Sequence, residues 1–426
     1  MAGPYVGTRD FYPEDMQFRN AMFAVIRSVC ESYGYLEYSA PLLEPISLYQ
    51  SKSSEEIVND QVYRFTDRGD REVAIRPEMT PTMARMVSAR GMELIRPVRW
   101  YSIANFMRYE RPGKGRLREF YQLNADLLGP ATPAADAEIL SLLIDILTAF
   151  GAKQGDFLLR VSDRRLFDSY VQHTDKEVRR SIGRLLDKRE KIGEEAFQEE
   201  LRRTADGPLV DRVNSFLSIR LEDLEKLGQK GEIDAAVGGH LSAVSDILSA
   251  QGKSAFLSFD PGIVRGFDYY TGLIFEAQDL NPENRRAICG GGRFDRLLGQ
   301  MGKNELPAVG FGLGDVTLEQ FLRSRGFLAD ASPKKGCFFI LFPESRDASL
   351  KIASDLRKAG VLVETSLEPS VKIGKQMEAA DKKGRRFVLM MGGDELARGV
   401  VRVKDLATGD QTDVKPSDLS SHLNRA

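Results

Sequence analysis

Apolar residues recur at helical spacing between Met16 and Tyr33, where Phe18, Met22, Phe23, Ile26, Val29 and Cys30 share one face. That period predicts an amphipathic helix, and Gly34 after it is the residue that commonly ends one. The runs Val62–Phe65 and Glu72–Ile75 flank Thr66-Asp67-Arg68-Gly69-Asp70, and a turn of that composition between strand-like runs predicts a hairpin. From about 163 to 250 the pattern changes. Arg, Lys, Glu and Leu dominate, as in Arg179-Arg180-Ser181-Ile182-Gly183-Arg184-Leu185-Leu186, and a mainly helical insertion is expected. Strand-like runs return at Ala255–Phe259 and Leu273–Glu276. Residues 329–336 form a polar linker. Beyond it strands are predicted at Phe338–Phe342, Val361–Glu364 and Phe387–Met391, with helices at Ser345–Ala359 and Val371–Lys383. Such alternation predicts an α/β domain of about 95 residues. The expected organisation is a domain over 1–330, interrupted by the insertion at 163–250, and a second over 331–426.

Composition narrows the class. A chain of 426 residues is long enough for about two to four domains. It is 42% apolar and 29% charged, the balance of a globular protein. No run approaches the ~20 apolar residues that span a bilayer. The first residues lack the basic and apolar regions of a secretory leader. Cys30, Cys289 and Cys337 are odd in number and far apart, so a reducing compartment, the cytoplasm, is expected rather than a disulfide framework. No CxxC pair suggests a structural zinc, and no metal-ligand set is expected. His173, His240 and His422 are scattered, with no nearby nucleophile in a hydrolytic motif. The net charge of −2 gives no general attraction for a polyanion, so any nucleic acid must be held by local patches. Residues 332–426 carry 17 Lys and Arg against 13 Asp and Glu.

Four segments have the composition of a site. Phe106–Phe120 places two strand-like ends around a loop with Pro112, Gly113 and Gly115, and crowds in Arg108, Arg111, Lys114, Arg116 and Arg118. Arginine's planar fork suits phosphate and carboxylate, although a solvated charged hairpin has the same composition. Pro261–Gly272 sets Arg265 in an apolar run beside Tyr269 and Tyr270. A buried guanidinium there needs an anion, either a ligand or Asp268. Ile288–Asp295 contains Gly290-Gly291-Gly292, and Pro307–Gly314 is again glycine-rich. Glycines allow close approach to a ligand or simply make a turn, and neither a Walker A nor a Rossmann spacing is present. In Ile75–Thr82 the pair Glu78 and Thr80 can receive an ammonium group. Equally, Thr80 or Thr82 can cap a helix.

Taken in order, these segments closely resemble histidyl-tRNA synthetases over almost the whole chain. Gly7-Thr8-Arg9-Asp10 looks like that family's N-terminal signature. The helix from Met16 and the strand after Gly34 resemble the class II dimer motif. Arg108-Tyr109-Glu110 resembles the class II motif that binds ATP, and Arg265-Gly266-Phe267-Asp268-Tyr269-Tyr270 resembles a box specific to the histidine enzymes. Lys372–Gln376 and Gly393–Leu396 resemble the anticodon-binding domain.

The resemblance implies a mixed α/β (α+β) fold: a class II antiparallel sheet flanked by helices, a helical insertion, and a C-terminal α/β anticodon-binding domain. It implies a cytoplasmic homodimeric ligase that activates histidine with ATP, accompanied by Mg²⁺, and transfers it to the 3′ end of histidine tRNA. Arg108 and Arg265 would flank the α-phosphate as the catalytic pair. Arg116 and Arg118 would reach the triphosphate, Glu110 would read adenine and Phe120 would stack on it. Glu78, Thr80 and Gln122 would hold the ammonium group of histidine, Asp126 and Tyr270 would face its imidazole, and Tyr269 would also line the amino-acid site. Four positions depart from the family's usual pattern. Thr317 stands where most members have an arginine against ATP, and Asp126 replaces a longer glutamate facing the imidazole. Phe294 replaces a tyrosine in the histidine site. Gly113 replaces a glutamine that helps read the extra 5′ guanosine of histidine tRNA. A second reading is a non-catalytic paralogue, the regulatory subunit of ATP phosphoribosyltransferase, which shares the catalytic fold. Such paralogues generally lack the Arg265–Tyr270 box and the anticodon domain. A third is a class II synthetase for proline or threonine.

Overall fold

The computed structural model describes residues 3–50, 57–91, 93–172, 174–263, 269–284, 287–301, 305–328, 335–367 and 373–425. The chain divides into two compact units, Met1–Ala329 and Asp330–Ala426.

Unit 1 opens with α1 (Pro13–Ser32), started by a proline in its first turn and by Asp15 accepting from the Tyr12 amide. Its buried face is Phe18, Met22, Phe23, Ile26 and Cys30, five of the six positions that the spacing predicts. Gly34 follows with φ +77°. The strands β1 (Leu36–Glu37), β2 (Leu43–Pro45), β3 (Arg64–Thr66) and β4 (Glu72–Ile75) come next. β2, β4 and β3 form a small antiparallel sheet in that order, and β3–β4 is the expected hairpin. Between them lies α2 (Ser47–Gln50), and after β4 comes α3 (Thr80–Arg90).

The large sheet adds β5 (Val98–Met107), β6 (Glu119–Leu128), β7 (Phe157–Asp163), β8 (Leu257–Phe259), β9 (Leu273–Asp279), β10 (Ala287–Arg293) and β11 (Ala308–Gly314). Its order is β1-β5-β6-β11-β10-β9-β7-β8. Only the outermost pairs, β1–β5 and β7–β8, are parallel. One face carries the main core, built from α1, α4 (Pro133–Ala149) and α11 (Asp315–Arg325). α4 is buried nearly all round, with Ile139, Leu140, Leu142, Leu143, Ile144, Ile146 and Leu147 each 1% exposed or less, as a central helix must be. That leaves the other face of the sheet for a site.

The insertion is helical, as its composition predicts: α5 (Arg164–Tyr170), α6 (Lys176–Ile192), α7 (Glu194–Thr204), α8 (Gly207–Leu217), α9 (Leu224–Gln229) and α10 (Ala235–Ala250). Asp175, Asp206 and Asp234 cap α6, α8 and α10 by accepting backbone N–H groups. The strand expected at Ala255–Phe259 begins later, because Ser254–Phe256 makes a 3₁₀ turn first.

Unit 2 is a five-stranded sheet, β13-β12-β14-β15-β16. Its members are β12 (Cys337–Ile340), β13 (Val363–Thr365), β14 (Phe387–Met390), β15 (Val401–Asp405) and β16 (Gln411–Val414). Helices α12 (Arg346–Lys358), α13 (Ile373–Lys382), α14 (Gly393–Arg398) and α15 (Leu419–Arg425) accompany it. The expected start of α13 at Val371 falls outside the described residues. Among the described residues no helix is long and apolar enough to cross a membrane.

Candidate active site

Side chains directly opposite on paired strands share a face of the sheet. On β6 the row Gln122, Asn124, Asp126 is matched on β11 by Gly314, Gly312 and Gly310. On β10, Gly312 and Gly310 are matched by Gly290 and Gly292. Five glycines therefore adjoin on the face away from the main core, and they form a trough floored by backbone alone. Its β6 wall is a polar row, extended by Phe120, which pairs with Phe106 of β5. The Gln122 amide donates to Asn124 Oδ1 at 2.9 Å. A Cβ at Gly312 would come within 2.5 Å of Gln122 Nε2, and one at Gly310 would overlap Asp126 Oδ1. The trough thus exists only because glycine occupies alternate positions.

Asp126 is 2% exposed, and its Oδ2 has no partner among the described residues. Burial pushes its carboxyl up to about 8. Beside it, Tyr270 lies over Gly292, where a Cβ would touch its ring at 3.0 Å. Tyr270 meets Tyr269 edge-on at 5.1 Å, and Tyr269 meets Phe294 at 5.8 Å. The Tyr269 hydroxyl donates to Glu78 at 3.2 Å, with Thr80 close by. Burial raises this phenol well above its ordinary value, assisted by the Glu78 charge. The structure therefore brings Glu78, Thr80 and Tyr269 together, and Asp126 with Tyr270. Phe294 is 2% exposed and packs in an apolar cluster with Tyr269. Neither threonine caps α3: the N-cap is Met79, without a side-chain bond, and Thr82 meets the Tyr49 hydroxyl at 3.3 Å.

Arg76 is buried and serves structure. It donates to Asn105 O and Ala40 O, each at 2.9 Å, and to Asn105 Oδ1 at 3.2 Å. Arg108 is placed by its Nε, which donates to Pro77 O at 2.9 Å, and it lies 5.4 Å from the Phe120 ring centre. Farther out on the hairpin, Glu110 and Arg116 pair at 2.6 Å. Arg118 stacks on Tyr109 at 4.2 Å and donates to Tyr5 Oη and Glu110 O. The expected reader of adenine and an expected phosphate ligand thus neutralise each other here. Thr317 is turned inward, and its hydroxyl donates to Ile288 O at 2.9 Å and Gly314 O at 3.2 Å. Arg265 lies outside the described residues, as does Asp268.

Sequence reasoning missed one buried network. Asp136 of α4, wholly buried, binds Arg293 Nη2 at 2.5 Å and His240 Nε2 of α10 at 2.6 Å. The Arg293 carbonyl accepts from the Thr271 amide at 2.7 Å. The network ties the insertion and the segment after Tyr270 to the end of the glycine strand. An arginine directly after three glycines was the available signal. The trough had one too, since glycines recur at every second position in Gly310-Phe311-Gly312-Leu313-Gly314.

An antiparallel sheet with this site on one face and its core helices on the other is the catalytic fold of the class II aminoacyl-tRNA synthetases. Residues 7–317 match the family model described as histidyl-tRNA synthetase, and residues 337–425 match that of an anticodon binding domain. The chain is 45% identical over 414 residues to a histidine–tRNA ligase of Leptospira biflexa, covering 96% of this chain and 94% of that one. It is 43% identical over 418 residues to that of Opitutus terrae, with the same coverage of each. The crystal structure of histidyl-tRNA synthetase from Nostoc sp. PCC 7120 superposes with a TM-score of 0.85 at 26% identity, covering 99% of both chains. The chain belongs to the histidyl-tRNA synthetase family.

Proposed function

We propose that the glycine trough is where this histidine–tRNA ligase joins histidine to AMP and then to tRNA. The observation that carries the reading is the side-chain-free floor flanked by Gln122, Asn124 and Asp126. A substrate can lie flat on it while polar groups grip one edge. Histidine's ammonium group sits at Glu78, Thr80 and Gln122, and its imidazole faces Asp126 and Tyr270. Its carboxylate attacks the α-phosphate of ATP, and the bond to pyrophosphate breaks. The terminal ribose hydroxyl of tRNA then attacks the histidyl carbonyl, and AMP leaves. Arg108, with Arg265, stabilises the charge that grows on the α-phosphate oxygens, and most of such catalysis is positioning plus neutralisation. Glu110 and Arg116 separate when ATP enters, the one turning to adenine and the other to phosphate.

Among the described residues no group of three or more His, Cys, Asp or Glu gathers as a metal site. Mg²⁺ fits as the nucleotide's counter-ion, held chiefly by phosphates and water. A homodimer is supported by the apolar side chains Leu36, Leu42 and Leu43, which stand exposed around the first strands. The regulatory-subunit reading is the weaker one, because residues 337–425 match the anticodon domain that such subunits generally lack.

The test is amino-acid-dependent exchange of pyrophosphate into ATP with each of the twenty amino acids. Histidine alone is expected to support it. Exchange with proline or threonine at the same rate, or with no amino acid, overturns the assignment.

A smaller effect is expected at the acceptor end. A Cβ at Gly113 meets nothing within 4 Å, so Gly113→Gln should leave the fold unchanged. The new amide supplies a base-edge contact of about 1–3 kcal/mol. Charging of tRNA transcripts with and without the extra 5′ guanosine should then show a larger preference than in wild type. An unchanged preference would mean that position 113 does not reach the base.

A further inference from the structure

The segment Tyr5–Asp10 belongs to neither sheet, yet its contacts converge on the place where the hairpin returns to β6. The Gly7 carbonyl accepts from two successive amides, Arg118 at 2.8 Å and Glu119 at 3.1 Å. Gly7 has φ +84°, and a Cβ there would meet Arg118 Cγ at 2.8 Å and Pro112 Cγ at 3.0 Å. Both its conformation and the close approach require glycine. Two residues on, Arg9 reaches α11, where Nη2 meets Asp315 Oδ2 at 2.5 Å and Nη1 lies 3.6 Å from Glu319. The other oxygen of Asp315 accepts from the Tyr121 amide at 2.9 Å. The β6–β11 ladder ends at Gln122–Gly314, so this carboxylate takes the first β6 amide beyond it. Arg19 lies between the rings of Phe11, at 4.2 Å, and Tyr121, at 4.5 Å.

We propose that Arg9, through Asp315, is a positioning residue for ATP: together with the Gly7 carbonyl it fixes the start of β6, and thereby the hairpin Arg108–Arg118, against the glycine trough. This rests on the reading of that hairpin as the ATP-binding element. The clasp holds Arg118, Glu119 and Tyr121, and between and beside them stand Phe120 and Gln122, which face the trough. Asp315 is 3% exposed, and burial already raises its carboxyl while Arg9 lowers it. Without the guanidinium the acid protonates more readily and becomes a weaker acceptor for the Tyr121 amide. The β6 end then loosens, and both sides of the hairpin lose their fixed distance from the phosphates. Arg9 itself touches neither ATP nor histidine in this account.

The experiment compares the full-length wild type with Arg9→Gln, Arg9→Lys, Asp315→Asn and Gly7→Ala. Histidine-dependent pyrophosphate exchange gives KM for ATP and KM for histidine separately, and thermal melting is recorded for each protein. Arg9→Gln and Gly7→Ala should raise KM for ATP by about tenfold or more, as small misplacements of reacting groups do. KM for histidine should rise by a much smaller factor, because of the histidine-site residues only Gln122 adjoins the clasp, and each variant should melt somewhat lower because it strains Gly7 or unpairs the buried Asp315. Asp315→Asn should match Arg9→Gln, and Arg9→Lys should recover part of the loss because its ammonium can still pair with Asp315. If KM for ATP stays at the wild-type value, or both KM values rise by the same factor, the clasp is merely structural and the proposal falls. If the wild type itself shows no exchange with any amino acid, the reading of the hairpin fails first and the proposal falls with it.

Discussion

Asp126→Asn is expected to melt at a higher temperature than the wild type while losing about 10²–10³ in histidine-dependent exchange, the usual cost of removing one preorganised electrostatic group. The two effects share one cause. Asp126 is buried, its Oδ2 has no partner among the described residues, and burial raises its carboxyl to about 8. An acid whose folded pKa lies above its unfolded value binds more protons when folded. Its contribution to stability is therefore fully present below about pH 4 and is lost as pH rises toward about pH 8. Asparagine carries no such penalty. The melting difference between variant and wild type should open through the acidic range and level off above about pH 8. Near its plateau it should exceed the ~1–3 kcal/mol of an unsatisfied neutral buried group, because the group then left without a partner carries a charge. On the proposed reading, histidine's imidazole is the missing partner that can share the proton, so binding relieves the strain. KM for ATP should be unaffected. A variant that melts below wild type, or that keeps its KM for histidine, would show that Asp126 is an ordinary buried acid.

What the sequence made legible was local. The period of α1, the hairpin around Thr66–Asp70, the helical character of the insertion and the first strands of unit 2 each depend on neighbours a few residues apart. Where a short strand lacked a continuous apolar run, the reading missed it, whereas the equally short β12 and β14 are wholly apolar. β15 and β16 have five and four residues, and their alternating charges, such as Arg402, Lys404 and Asp413, resemble a solvated loop. Register was beyond reach. Gln122, Asn124 and Asp126 are an ordinary polar alternation until Gly314, Gly312 and Gly310 are set opposite them. Pairs such as Arg9 with Asp315 and Arg293 with Asp136 join residues 306 and 157 positions apart, and no local pattern marks them. The threonines of α3 show the reverse error. Thr80 has the chemistry of a cap, yet its hydroxyl lies near Tyr269, which only the tertiary structure supplies.

Two glycine substitutions should separate the trough's two faces. Gly291→Ala is expected to cost the fold. Its side of β10 points into the main core, where a Cβ would overlap the Gly310 carbonyl and come within 2.5 Å of Phe275 Cζ and 2.6 Å of Phe311 Cβ. Two of those atoms belong to packed rings and strand backbone that cannot retreat. Overpacking of this kind costs about 1–3 kcal/mol and sometimes more, so the melting temperature should fall clearly. Gly312→Ala is expected to leave melting nearly unchanged and to damage the site. The three atoms nearest its Cβ would all belong to the far end of Gln122, with Nε2 at 2.5 Å, Cδ at 2.9 Å and Oε1 at 3.3 Å. That side chain can swing aside, at the cost of its bond to Asn124, about 1 kcal/mol. On the proposed reading, the displaced amide no longer meets histidine's ammonium group, and the new methyl stands on the floor where the substrate would lie. Exchange efficiency with histidine should drop by about tenfold to a hundredfold, as when one polar contact in a site is left unpaired. The measurement is kcat/KM for histidine beside a melting curve for each variant. A Gly312→Ala protein with wild-type kcat/KM would show that the trough does not hold the amino acid. A Gly291→Ala protein that melts like the wild type would show that the core face of β10 has room that the geometry denies.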